Sequence, residues 1–160
     1  MSENLSKSAK TVQEALDAKG ISTKVVELAA STRTALDAAT SIGCDVAQIC
    51  KSLIFKTQDT AQPVLVLASG PTRVNEKRIS EYLGETLVKA DADFAREITG
   101  FAIGGIPPIG HLQKIERIFI DEDLLKFEEL WAAAGTPNAV FCLKGKDLVE
   151  MTDGRVVDIK

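Results

Sequence analysis

Residues 52–68 read SLIFKTQDTAQPVLVLA, two apolar runs joined by the polar stretch TQDTAQP. Runs of this length, rich in Val, Ile, Leu and Phe and bounded by turn-forming residues, predict a pair of strands over Ser52–Lys56 and Val64–Ala68. Towards the N-terminus, Leu5, Ala9, Val12 and Leu16 follow helical spacing, and Gly20 is placed to end that helix. Lys24–Leu28 reads as a short strand. Thr34 is placed to cap a second helix, with Asp37 near its positive end and Gly43 as its stop. Asp45 starts a helical turn towards Lys51.

On the other side of the strand pair, Asn75 caps a helix through Leu83 that Gly84 stops. Leu87–Lys89 reads as a strand. Asp91 caps a helix to Ile98, ended by Gly100. Phe101–Ile103 reads as another short strand, and Ile115–Ile120 as a half-buried one. A helix is expected over Glu122–Ala134 with Gly135 as its stop, carrying the apolar stripe Leu124, Leu125, Phe127, Leu130 and Trp131. Ala139–Leu143 reads as a strand, Asp147–Met151 as a helical turn, and Val156–Ile159 as a last strand. Strands and helices alternate without the regular long crossovers of a doubly wound sheet. The expected class is therefore α+β, a mixed sheet or open barrel flanked by helices, in one domain over residues 1–160.

Of the 160 residues, 45% are apolar and 26% charged, the balance of a globular domain with a packed core. No apolar run approaches the ~20 residues of a membrane-spanning helix. MSENLSKSAK lacks the apolar centre of a secretory leader. A cytoplasmic protein with no membrane partner is the expectation. Cys44, Cys50 and Cys142 lack metal-ligand spacing and read as small buried hydrophobes, so no metal and no cofactor are expected. A formal net charge of −4 weighs against a broad basic face for long nucleic acid and leaves room for contact with a terminal nucleotide or two.

The least ordinary segment is Gly104–His111, GGIPPIGH, with three glycines and two prolines. Prolines fix φ and remove donors, while glycines admit close approach, so the loop is stiff and offers N–H groups from Gly104, Gly105 and Gly110. Such donors suit an ester carbonyl or an anion. The plain alternative is a tight turn. His111, the only histidine, can donate, accept or carry a proton near neutral pH. Lys51 lies among Ile49, Cys50 and Leu53, and a buried stem with an exposed ammonium makes a phosphate clamp.

Three segments, TALDAATSIGCDVAQICKSLIFK, GPTRVNEKRISEYLG and TGFAIGGIPPIGH, occur in the order and separation of the YbaK and prolyl-tRNA-synthetase editing-domain family, which the chain resembles from Leu28 to Ile120. Gly104, Pro108, Gly110 and His111 match the family pattern GxxxPxGH. The resemblance implies a mixed sheet, partly barrel-like, surrounded by helices. It implies hydrolysis of the ester of a tRNA mischarged with a small amino acid such as alanine or cysteine. It places Lys51 near the phosphate or ribose of the terminal adenosine, the loop from Gly104 and Gly105 on the aminoacyl carbonyl, and His111 in the lining. Thr34 and Ala35 fall at the wall facing the amino-acid side chain, with Pro108 and Gly110 shaping the loop. The implied partners are the tRNA acceptor end, as an aminoacyl-adenosine, and an aminoacyl-tRNA synthetase. Pro107 departs from the small polar residue that many relatives carry there, which bears on substrate choice. Two other classes stand beside this one: a catalytically silent module that binds aminoacyl-tRNA, nucleotides or amino acids through the same lysine and loop, and a structural or regulatory partner of a synthetase or of tRNA-handling machinery, whose marker would be an exposed apolar patch around Leu124, Leu125, Phe127, Leu130 and Trp131. No Ser–His–Asp set and no metal-ligand cluster is visible.

Overall fold

Residues 5–160 are described by a computed structural model. The first four residues, part of the segment read as lacking a leader, lie outside the described range. Helix α1 spans Lys7–Ala18, followed by β1 (Val26–Glu27) and α2 (Ala35–Ile42). A 3-10 turn at Val46–Gln48 leads into the long strand β2 (Ile49–Thr57) and its neighbour β3 (Pro63–Ser69). Then come α3 (Glu76–Leu83), β4 (Leu87–Lys89) and α4 (Ala92–Thr99). After the glycine–proline loop follow β5 (Arg117–Asp121), a 3-10 helix at Glu122–Lys126, β6 (Leu130–Ala133), β7 (Ala139–Leu143), α5 (Gly145–Thr152) and β8 (Arg155–Val157). No helix of the described residues is long and apolar enough to cross a membrane.

The strands form one mixed sheet in the order β1-β7-β6-β2-β3-β5-β8, with β4 pairing separately to β2. β3 runs antiparallel to β2 and parallel to β5, and β6 runs parallel to β2. No pairing joins β1 to β8 among the described residues, so the sheet stays open. β3 is buried on both faces: Leu65 and Leu67 meet α1, α4 and α5, while Val64, Val66 and Ala68 meet α3. That two-sided burial is why β3 reads as a continuous apolar run rather than an alternating one. A third, smaller cluster seats Ala38 and Ala39 of α2 on Ile49, with Trp131 against them.

Helix ends match the local sequence signals. The side chains of Thr34, Asn75 and Asp91 accept from Asp37, Arg78 and Phe94 N–H, and Gly43, Gly84 and Gly100 close the three helices. Two expected elements are replaced. The helix over Glu122–Ala134 is a 3-10 turn followed by β6, because Leu130 and Ala132 are buried alternately and β6 pairs on both sides, with β2 and β7. The strand at Phe101–Ile103 is absent. There the Thr99 hydroxyl accepts from the Phe101 N–H at 3.1 Å and gives its own proton to the Ala95 carbonyl at 2.7 Å, tying Phe101 to the end of α4 instead of to a ladder.

Candidate functional site

β2 is the spine of the site. Pro63, which has no N–H, lies opposite Lys56, so that pair must be a non-hydrogen-bonded one. The neighbouring Thr57 N–H donates to Gln62 at 3.0 Å, as this phase requires. Counting back, odd-numbered residues of β2 exchange hydrogen bonds with β3 and even-numbered ones turn their main-chain groups to the opposite edge. On that edge β6 pairs only at Ile49 and Cys50, and β4 only from Phe55 to Thr57. Between them the edge of β2 has no strand partner among the described residues. The gap opens into a cavity of about 520 Å3.

The cavity draws its walls from both faces of the sheet: Ala35 and Ala38 of α2, Ala95 of α4, Ala132 and Ala133 of β6, and Ile103, Gly104 and Ile106 of the loop. Arg33, Lys51 and Lys89 also line it, and no carboxylate or imidazole does. In a chain of net charge −4, three cations without an acid at one opening make a local field for an anion.

Lys51 projects from β2 and donates from Nζ to the Thr72 carbonyl at 2.9 Å. Burial pushes its pKa down, and the charge of Asp121 opposes that shift. Asp121 is fully buried, its Oδ2 accepting from Ser69 N–H and its Oδ1 from Asp123 N–H, each at 3.0 Å. It therefore fixes the end of β3, from which the chain turns to the carbonyl that holds Lys51. Cys50 lines the same cavity, but burial, with Asp121 adding, pushes its thiol up to about 12. At neutral pH it carries no thiolate and is no nucleophile.

Gly104 stands at φ +99°, where a Cβ would lie 2.8 Å from Arg33 Cγ. The Arg33 stem thus crosses directly over this glycine. The Gly104 N–H has no hydrogen-bond partner among the described residues, and neither has that of Ile106. Gly105 differs from the expectation. Its N–H donates to Ala102 at 3.1 Å and its carbonyl accepts from Gly135 at 2.8 Å, so it is not a free donor. A Cβ there would meet the backbone of Thr136 at 2.9 Å, and Gly105 is an anchor of the loop.

Of the residues singled out in sequence, the fold brings Lys51, Gly104, Thr34 and Ala35 to one cavity. Gly105, Pro108, Gly110 and His111 are not among its lining. Gly110 sits against α1, where a Cβ would come within 3.3 Å of Ala15. His111 Nε2 donates to the Pro107 carbonyl at 2.7 Å, which assigns the ring proton to Nε2. Burial lowers its pKa, against the pull of that bond, so the ring is neutral at pH 7. His111 is a staple across the loop's second turn, not a group in the cavity. His111→Ala is expected to cost about 1–2 kcal/mol of stability by leaving the Pro107 carbonyl unpaired. His111→Gln, which can still donate, is expected to restore part of it. Chemical denaturation of the three proteins checks this, and equal midpoints would remove the staple. Nothing in the sequence marks Arg33, Lys89, Ser52 and Trp131 as residues of the site. Only the topology gathers them, since they lie on four separate segments.

Comparison with known proteins places the chain in a family. The aminoacyl-tRNA editing domain family matches residues 29–151, and the chain belongs to that family, the YbaK type. Uncharacterized protein YwhH of Bacillus subtilis (strain 168) is 30% identical over 132 residues, 82% of this chain and 83% of that protein. The proline–tRNA ligase of Limosilactobacillus fermentum (strain NBRC 3956 / LMG 18251) is 36% identical over 78 residues, 46% of this chain but only 14% of the ligase. A crystal structure of a proposed trans-editing enzyme for prolyl-tRNA synthetase superposes with a TM-score of 0.91 at 45% identity, covering 98% of this chain and 99% of that one.

Proposed function

We propose that this chain is a trans-acting deacylase that hydrolyses the ester of a tRNA mischarged with a small amino acid. The observation that carries the reading is the shared cavity of Lys51 and Gly104, with Arg33 and Lys89 at its walls. Its volume of about 520 Å3 falls in the ~300–1,000 Å3 range of small-molecule sites and suits a terminal adenosine with its acyl group. Lys51, with one N–H on Thr72, keeps two for a phosphate or ribose oxygen. The unpartnered N–H groups of Gly104 and Ile106 receive the carbonyl oxygen as it gains negative charge.

The lining offers no general base: it has no carboxylate or imidazole, and its one thiol stays protonated. The proton acceptor is therefore supplied with the substrate, and the vicinal ribose hydroxyl is placed to relay it. Water adds to the acyl carbon, the tetrahedral intermediate collapses, and the ribose oxygen leaves with the proton. Free amino acid and uncharged tRNA result. An ester needs no stronger assistance than alignment and a polarised carbonyl. Alanine walls at positions 35, 38, 132 and 133 favour a small acyl side chain. A synthetase is the natural donor of such a substrate, and the acceptor end is the part of the tRNA that the cationic opening takes.

The test is a panel of tRNAs charged with alanine, cysteine, serine and proline, incubated with catalytic amounts of protein. Ester loss above the uncatalysed rate for a small residue, with the cognate ester spared, is expected. A panel in which no ester is lost faster, or in which every ester is protected, would instead indicate a binding module.

A further inference from the structure

Ser52 occupies the centre of the gap in strand pairing and lines the cavity. As an even-numbered residue of β2, it turns its N–H and C=O away from β3 and towards that gap. Neither group has a partner among the described residues. Its hydroxyl oxygen is also buried without a hydrogen bond. The two main-chain groups of one residue thus face one opening, bracketed by the ends of β6 and β4. In water the main-chain N–H and C=O are solvated. A ligand that displaces the water must replace those bonds or leave them unmade.

An unpaired strand residue presents a donor and an acceptor side by side, and its natural complement is one residue of an antiparallel partner, with amine and carbonyl on the same carbon. An α-aminoacyl group has that pattern. We propose that Ser52 is the subsite for the α-amino group of the acyl ligand. The Ser52 carbonyl accepts from the amine and the Ser52 N–H donates to the acyl oxygen of the bound ester, Gly104 and Ile106 adding their donors as that oxygen gains a third lone pair, so the aminoacyl residue docks as a single residue of a missing strand. This rests on the deacylase reading for the identity of the ligand, and adds that the main chain of β2 selects for an acyl group with an N–H donor on its α-carbon. An acyl group lacking the amine leaves the Ser52 carbonyl dry and unpaired.

The experiment compares two stable amides by calorimetry: 3′-alanylamino-3′-deoxyadenosine and 3′-propionylamino-3′-deoxyadenosine, which differ only in the α-amine. Trp131, the sole tryptophan and a lining residue, reports occupancy through its emission. The alanyl amide is expected to bind about tenfold tighter or more. Equal affinities, or no binding of either, would overturn the subsite. Ser52→Ala keeps both main-chain groups and is expected to retain the preference, whereas loss of the preference in that variant would overturn the main-chain assignment. The two readings fail separately. Cleavage of mischarged tRNA with no preference between the amides sinks the subsite alone. A clear preference with no cleavage of any ester sinks the deacylase alone.

Discussion

Gly104→Ala is expected to lower kcat for deacylation about 10²–10³-fold, the usual consequence of losing one main-chain donor to a developing oxyanion. Two physical effects act together. At φ +99° an L-residue is strained by about 1–3 kcal/mol, so the peptide rotates and the N–H leaves its aim. The added methyl also meets Arg33 Cγ at 2.8 Å, displacing the stem that crosses the opening. Single-turnover kinetics on one mischarged tRNA, beside a melting curve, separates these effects from unfolding. A folded variant with undiminished single-turnover rate would mean that the loop is an ordinary turn. Arg33→Ala relieves the clash but not the strain. The double variant Arg33→Ala/Gly104→Ala should therefore recover little of the rate.

Lys51→Ala is expected to lower kcat/KM about 10- to 100-fold, the weight of a charge-assisted hydrogen bond at a partly desolvated site. The fold should persist, since the lost bond is one contact to Thr72. Lys51→Arg should not rescue fully, because a planar fork does not fit where a point charge donates. The ammonium also gives a pH signature. A lysine whose pKa burial holds below the ordinary 10.5 loses its proton at a lower pH than its neighbours. Binding of the non-hydrolysable alanyl amide of adenosine 5′-monophosphate should weaken as pH rises towards 10.5, with the decline starting on the acid side of that value. Lys51→Ala should flatten the decline. An unchanged alkaline limb in the variant would assign the titration to another group.

The parts of the fold that were legible in the sequence are those decided within a few residues. Thr34, Asn75 and Asp91 cap helices because a short side-chain oxygen can reach the N–H three positions on, and nothing distant overrides that. β6 was not legible. Leu124, Leu125, Phe127, Leu130 and Trp131 have helical spacing, but the 3-10 turn breaks at Phe127, whose carbonyl instead accepts from Gly145. Leu130–Ala133 then takes the period of a strand because β2 and β7 offer it two edges. Long-range pairing outweighed local preference. The candidate site divides the same way. Lys51 and Gly104 stood out as residue types in unusual settings. Ser52 did not, because its significance is the absence of a neighbour, which only the sheet order reveals. His111 drew notice as a residue type, and its bond to Pro107 moves it from chemistry to architecture.

Pro63 has an influence out of proportion to its distance from the cavity. A slip of β3 by one residue would set this imino acid where β2 requires a donor, forfeiting a ladder bond and turning every side chain of the strand to the wrong side. The proline therefore locks the phase in which the amide of Ser52 faces outward. Mutations in the hairpin that carries it can alter what the distant opening recognises without touching a single wall of it.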